Sequence, residues 1–243
     1  MKSKPMLFIA FAIGLICAYA VYNVYLFWNA AQRSAPLIAA TPPFNLNDPS
    51  RTRNILVLGD SLAVGVGAPA GETVAGRLSK ALNANVDNVA KSGALTRDLE
   101  GQMVQAHKSR YDLILIQAGA NDIIQLKSLS SAEANMDTLL AEAKQKSDYV
   151  AFLLVGDVGA APLWPWPWPR IYSTRSHNLR ERYIALAQKR DALFVDIYSR
   201  DNIFANDPDR YYANDQLHLT ADGYEKWFEI ISDDVRAKWP ELQ

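Results

Sequence analysis

The sequence is poor in the residues that mark several common chemistries. Cysteine occurs once in 243 residues, at Cys17, so no disulfide can form within the chain and the redox compartment stays open. Histidine occurs three times, at His107, His177 and His218, too few without a cysteine cluster for a zinc site. No metal or organic cofactor is expected. Charge of either sign is not in excess. The 25 Lys and Arg offset 26 Asp and Glu, which leaves no electrostatic footprint for nucleic acid. A dinucleotide loop is also missing, because Gly65-Val-Gly67 is followed three positions later by Ala70 rather than glycine. Nor is there a Gly-x-Ser-x-Gly elbow at Ser61, where Leu62 is followed by Ala63. That speaks against an ordinary α/β-hydrolase. No internal repeat, second globular domain or obligate protein partner is evident.

What remains is a globular composition, 49% hydrophobic and 21% charged, long enough for one large core. The first stretch to stand out is amino-terminal. Met6 to Trp28 is nearly continuous apolar sequence, broken mainly by Asn23 and preceded by Lys2 and Lys4. Its length suits a membrane-spanning helix, which needs roughly 20 apolar residues. Tyr25, Phe27 and Trp28 close it with the aromatic side chains that favour an interface. The alternative is a cleaved signal peptide ending at Ala18-Tyr-Ala20. An anchor over residues 1–28 is preferred, because apolar residues continue past Ala20. A lipoprotein site fails, since Ile16 precedes Cys17 where a small residue belongs. Residues 29–52, with a Pro42-Pro43 pair and no periodicity, read as a linker. A globular domain over 53–243 follows.

In that domain strands are expected near 55–59, 86–90, 112–118, 149–155 and 193–197. Helices are expected near 72–83, 96–107, 131–147, 174–191 and 221–238. The last has Tyr224, Trp227, Phe228, Ile231 and Val235 on one face and Thr220 as its cap. Strands alternating with helices predict a parallel sheet covered on both faces. Turns after such strands share one edge, where ligands bind in open α/β sheets. Ser61 follows the first strand there, as a candidate nucleophile that needs a base. Asp215 and His218 are three apart before the last helix, a spacing that lets a carboxylate hold one imidazole nitrogen and leave the other for Ser61. Asn121 can donate its side-chain NH to an oxyanion, and Gly93 can bring a backbone NH close. Each residue alone has a bland structural role as a cap, turn or surface group. Asp60, for instance, reads as a cap or a loop tie. Their convergence at one edge favours the catalytic reading.

These blocks together resemble the SGNH, or GDSL-type, hydrolase family. Gly59-Asp-Ser-Leu62 is similar to its first block, Gly93 to its second, Gly119-Ala-Asn-Asp122 to its third and Asp215-x-x-His218 to its last. The resemblance runs over residues 53 to 238. It implies a flavodoxin-like three-layer α/β/α sandwich with a five-stranded parallel sheet in the order 2-1-3-4-5. It implies Ser61 as nucleophile, His218 as base and Asp215 as orienting acid. The oxyanion hole would be the Ser61 and Gly93 backbone NH groups with the Asn121 side chain. The expected activity is hydrolysis of carboxylic esters or thioesters through an acyl-enzyme. The alternatives are an O-acetylesterase or O-acetyltransferase of cell-envelope glycans, or a module that binds lipid or glycan without turnover. A small-molecule or lipid ester is the expected partner, and the domain is expected in the periplasm or outside the cell, with a cytoplasmic domain the reverse topology.

Pro162-Leu-Trp-Pro-Trp-Pro-Trp-Pro169 is the most unusual stretch. Its alternating prolines exclude a regular helix and favour extended polyproline geometry. Trp164, Trp166 and Trp168 are read as a wall for an acyl chain or a surface that touches a bilayer, against a loop packed on the core. Arg170, Arg175, Arg180 and Arg182 read as contacts to anionic headgroups or as a solvated helix face.

Overall fold

A computed structural model describes residues 3–200 and 202–242. Lys2, one of the two basic residues expected to flank the apolar run, lies outside the described residues, as do Met1, Asp201 and Gln243. Five parallel strands, β1 (Arg53–Gly59), β2 (Ala84–Asn88), β3 (Leu113–Gln117), β4 (Val150–Leu153) and β5 (Leu193–Phe194), form one sheet in the order β2-β1-β3-β4-β5. This is the order the family resemblance implies.

The helices are α1 (Ser3–Ala40), α2 (Ser61–Val64), α3 (Val74–Ala81), α4 (Leu99–Met103), α5 (Ala120–Ile124), α6 (Leu129–Lys146), α7 (Trp168–Arg190), α8 (Asn202–Asn206), α9 (Pro208–Tyr211) and α10 (Ala221–Lys238). Successive strand residues face opposite ways. Ile55 and Val57 of β1 therefore join Leu113 and Leu115 in a core shared with α3 and α10. Leu56 and Leu58 join Ile114 and Ile116 in a second core with α4, α6 and α7. All eight of these side chains are buried, as strands covered on both faces require. The Thr220 side chain accepts from the Gly223 N–H and caps α10 as its sequence predicts.

Two expectations change. The expected helix at 96–107 is a short 3₁₀ turn followed by α4, which stops at Met103, so His107 lies outside any helix. The linker expected over 29–52 is helical as far as Ala40, because the Ala-rich start of that stretch favours helix and because it has a surface to pack on. Beyond Ala40 the chain stays against the domain. Leu46 makes an antiparallel bridge to Val86, with N–O distances of 3.0 and 2.9 Å, and covers the outer edge of β2. Asn45 accepts from the Asn88 N–H at 2.8 Å, and Phe44 packs on the core.

The amino-terminal half of α1 projects from the domain with its apolar side chains exposed, and Phe8–Ala40 is long and apolar enough to cross a membrane. From Asn23 onward the helix lies on the domain. Asn23 and Ala30 are buried, while Phe27, Ser34 and Leu37 are half-buried. These five recur at alternating four- and three-residue steps, one stripe of an α-helix. The expected anchor over 1–28 therefore shares its last residues with this packed seam.

Candidate active site

The site is built where β1 ends. At Gly59 φ is +147°, and a Cβ would stand 2.1 Å from the Gln117 carbonyl oxygen on β3, so only glycine fits. Gln102 of α4 clasps both backbone groups of Gly59, its Oε1 accepting from Gly59 N and its Nε2 donating to Gly59 O, both at 2.9 Å. Asp60 then caps α2 by accepting from the Leu62 N–H at 3.0 Å. Ser61, the first residue of α2, is thereby set at the carboxyl edge of the sheet.

His218 and Asp215 arrive on the turn before α10. The Ala213 N–H donates to the His218 carbonyl at 2.8 Å and closes that turn. Gln216, inside it, adopts a left-handed φ of +61°. Asp215 Oδ1 accepts from the backbone N–H of Leu217 at 3.1 Å and of His218 at 3.0 Å. Its Oδ2 lies 2.5 Å from His218 Nδ1, and His218 Nε2 lies 2.9 Å from Ser61 Oγ. Both side chains are buried, and Ser61 is half-buried. Burial alone would raise the Asp215 pKa. The hydrogen bond and charge of His218, with a hydroxyl from Ser34, outweigh it and hold the carboxyl well below its usual range. Asp215 is therefore an anion that fixes Nδ1 as the protonated nitrogen and leaves Nε2 free to accept from Ser61. Gly67 lets the β1 loop pass beside this turn, since a Cβ there would be 2.4 Å from the Leu219 carbonyl oxygen.

Of the other expected residues, Gly93 does not border the pocket that Ser61 and His218 line, and Asn121, in the first turn of α5, does. One of its amide hydrogens goes to the Ala94 carbonyl at 3.1 Å, which ties the turn after β3 to the turn after β2. The second is left for another acceptor. Gly93 lies in that β2 turn, with open space where a Cβ would point. The neighbouring Asp122 accepts from Thr96 N at 3.0 Å and Thr96 Oγ1 at 2.9 Å and welds the same two turns together. Burial raises its pKa against the pull of those donors.

The pocket beside Ser61 is bounded by Leu62, Ile124, Val155, Val158, Phe204 and Leu217, with Tyr212 and Trp227. It holds about 70 Å³ of free space. That is room for a handful of water molecules, since one needs roughly 10–15 Å³. Trp164, Trp166 and Trp168 do not border it. Trp164 is buried, donates from Nε1 to the Val158 carbonyl at 2.6 Å and meets Tyr172 edge to face. Trp168 stacks on Tyr172 and donates to Asn23 Oδ1 at 3.2 Å. Phe27 of α1 touches both indoles, at ring distances of 5.9 and 5.7 Å. Trp166 alone is exposed, at 75%, and its carbonyl accepts from the Tyr19 hydroxyl.

Most of the arginines after the loop have partners inside the protein. Arg175 donates to the carbonyls of Asp122, Ile123 and Lys127. Arg180 forks onto Asp196 at 2.9 and 2.6 Å, and Arg182 pairs with Glu133. Two groups at the site lie outside the sequence-based set. Ser34 Oγ donates to Asp215 Oδ2 at 2.7 Å. Asp60, read only as a cap or tie, also carries a buried Oδ2 with no hydrogen-bond partner. Among the described residues no group of three or more His, Cys, Asp or Glu side chains is placed to hold a metal.

A family model described as the GDSL-like Lipase/Acylhydrolase family matches residues 57–226. No curated protein sequence matches the chain. Among solved structures, the chain is similar to a member of the lipolytic protein G-D-S-L family from Veillonella parvula, with a TM-score of 0.59 and 18% identity over 78% of this chain and 99% of that one. It is also similar to an acetylxylan esterase from Geobacillus stearothermophilus, at TM-score 0.56 and 18% identity over 76% and 94% of the two chains. A psychrotrophic esterase from Pseudoalteromonas, inhibited by monoethylphosphonate, aligns at TM-score 0.56 and 17% identity over 78% and 100%.

Proposed function

Since the chain belongs to the GDSL-like lipase/acylhydrolase family and is a hydrolase of ester bonds, we propose that it is a serine esterase working through an acyl-enzyme on Ser61. The observation that carries this is the unbroken relay from Asp215 through His218 to Ser61, at 2.5 and 2.9 Å, beside an apolar pocket. Ser61 Oγ attacks the ester carbonyl as His218 Nε2 takes its proton, and Asp215 stabilises the imidazolium. The tetrahedral oxygen accepts from the backbone N–H of Ser61 and Gly93 and from the free hydrogen of Asn121 Nδ2. His218 returns its proton to the departing alcohol. It then activates a water that releases the acid and restores Ser61 Oγ–H.

The apolar pocket beside Ser61 supports an acyl group, whose length the ester series below reads. A second reading, an O-acetylesterase or O-acetyltransferase of envelope glycans, draws on the same feature and on the fold shared with an acetylxylan esterase. The helix α1 supports attachment to a membrane, with the domain in the periplasm or outside the cell. The test is a series of p-nitrophenyl esters of rising acyl length. Ser61→Ala is expected to lower kcat by at least about a thousandfold, and a fluorophosphonate is expected to label Ser61. A strict preference for acetyl selects the glycan reading. An active Ser61→Ala chain, or label on another residue, sinks both.

A further inference from the structure

We propose that α1 is a working part of the active site and that Ser34 is a positioning residue for Asp215; this rests on the serine-esterase reading. A membrane tether needs only to be apolar and long enough. From Asn23 onward α1 has a different surface, with buried Asn23 and Ala30 and half-buried Phe27, Ser34 and Leu37 on one stripe. That stripe is fixed at several points. Trp168 Nε1 donates to Asn23 Oδ1 at 3.2 Å, Phe27 lies between Trp164 and Trp168, and Leu37 packs on the core of α3 and α10. Ser34 is therefore delivered to one place, 2.7 Å from Asp215 Oδ2.

The acceptor atom matters. Asp215 Oδ1 is held by two backbone N–H groups of its own turn, whereas Oδ2 receives only His218 Nδ1 and the Ser34 hydroxyl. Among the described residues no backbone donor orients Oδ2. A fully buried carboxylate oxygen with one partner keeps lone-pair capacity that the site must satisfy. Ser34 supplies the second donor, holds the carboxylate plane against the imidazole and withdraws charge from the oxygen that faces Nδ1. The serine comes from 181 residues away in the chain, on an element outside the family match. The tether and the relay are thus mechanically joined.

The experiment compares Ser34→Val with Ser34→Thr in the full chain, solubilised in detergent micelles. The two side chains have the same shape and helix preference and differ in the hydroxyl. With a p-nitrophenyl ester, Ser34→Val is expected to lose about tenfold in kcat, with KM within about twofold, since the bond is to a charged group. Ser34→Thr is expected to stay within about twofold of the parent. Loss of the donor leaves more charge on Oδ2 beside Nδ1, so the acid limb of the pH–rate profile should move to higher pH in Ser34→Val and not in Ser34→Thr. In an Asp215→Asn background Ser34→Val should cost nothing further. Equal rates for the Val and Thr variants overturn the proposal, as does a tenfold loss that persists without the Asp215 carboxylate. If Ser34→Val fails to fold, Ser34→Ala provides the same comparison. Fluorophosphonate labelling of Ser61, run alongside, separates this outcome from failure of the serine reading, which would show as label elsewhere whatever residue 34 is.

Discussion

Asp60 sits next to the nucleophile, yet the relay does not use it. Burial pushes its carboxyl up to about 7, only partly offset by the Leu62 N–H and the charge of His218. The sign follows directly. The folded chain holds the Asp60 proton more tightly than the unfolded chain, whose carboxyl has an ordinary pKa near 3.8. This contribution to stability is full below that ordinary value and is lost as pH rises toward 7. Its size is on the order of 4 kcal/mol across the window. Thermal melts should therefore show the parent losing stability between pH 5 and pH 8. Asp60→Asn, which keeps an acceptor for Leu62 N–H, should flatten that trend. A parent and variant with parallel curves would refute the assignment. The sequence revealed the cap but not the proton. Capping depends on spacing within four residues, whereas the pKa depends on what the folded chain stacks over the carboxyl. Ser61, Asp215 and His218 were legible because the strand-end rule and the three-residue spacing are local. Ser34 was not, because nothing near it in the chain points to a carboxylate 181 residues on.

Among the elements, the long apolar strands were the easiest to read, and β5 shrinks to two residues where 193–197 was expected. Ends that depend on partners were the least legible. The same holds for α5, a five-residue helix no periodicity could announce, which carries Asn121. Its far end is held from outside. Arg175 of α7 donates through Nε to the Ile123 carbonyl at 3.2 Å and through Nη2 to the carbonyls of Asp122 and Lys127. Two of these carbonyls also accept backbone N–H groups, Asp122 from Lys127 at 2.8 Å and Ile123 from Leu126 at 3.1 Å, so the guanidinium adds a second donor to each and ties the turn that follows α5 to α7. Arg175→Met keeps the buried stem and removes the guanidinium's bonds, leaving the Asp122 and Ile123 carbonyls only their backbone donors. It should cost about 1–2 kcal/mol in denaturant unfolding. It should also lower kcat severalfold, because Asn121 is then held from only one side. An unchanged unfolding midpoint would show that water replaces the guanidinium without loss. The two arginines that follow, Arg180 and Arg182, spend their charge on Asp196 and Glu133. A run of basic residues in sequence is thus mostly an internal network, and headgroup contact would fall to Arg170.

For the whole molecule, the seam sets how much of α1 a bilayer can hold. Residues 3–22 precede Asn23, the first buried seam residue. At roughly 1.5 Å per residue they extend about 30 Å, the thickness of a hydrocarbon core. Asn23, the polar break in the apolar run, falls where a span of that length would end. Tyr19 donates to the Trp166 carbonyl within the last turns of that stretch, so in a membrane-anchored chain the exposed Trp166 would lie level with the lipid interface, where indole rings are favoured. The single cysteine makes this testable. Cys17 lies two residues before Tyr19 and is the chain's only thiol. In cells whose outer barrier has been permeabilised, an impermeant maleimide should leave Cys17 unlabelled and should label a Cys17→Ala, Trp166→Cys chain rapidly. Labelling of residue 166 only after lysis would place the domain in the cytoplasm. Rapid labelling of Cys17 in intact membranes would mean that the bilayer does not reach Tyr19. If Cys17 is protected, the Trp-Pro loop, with Trp164 and Trp168 turned inward onto Phe27 and only Trp166 turned out, would set the distance between the membrane and the mouth beside Ser61.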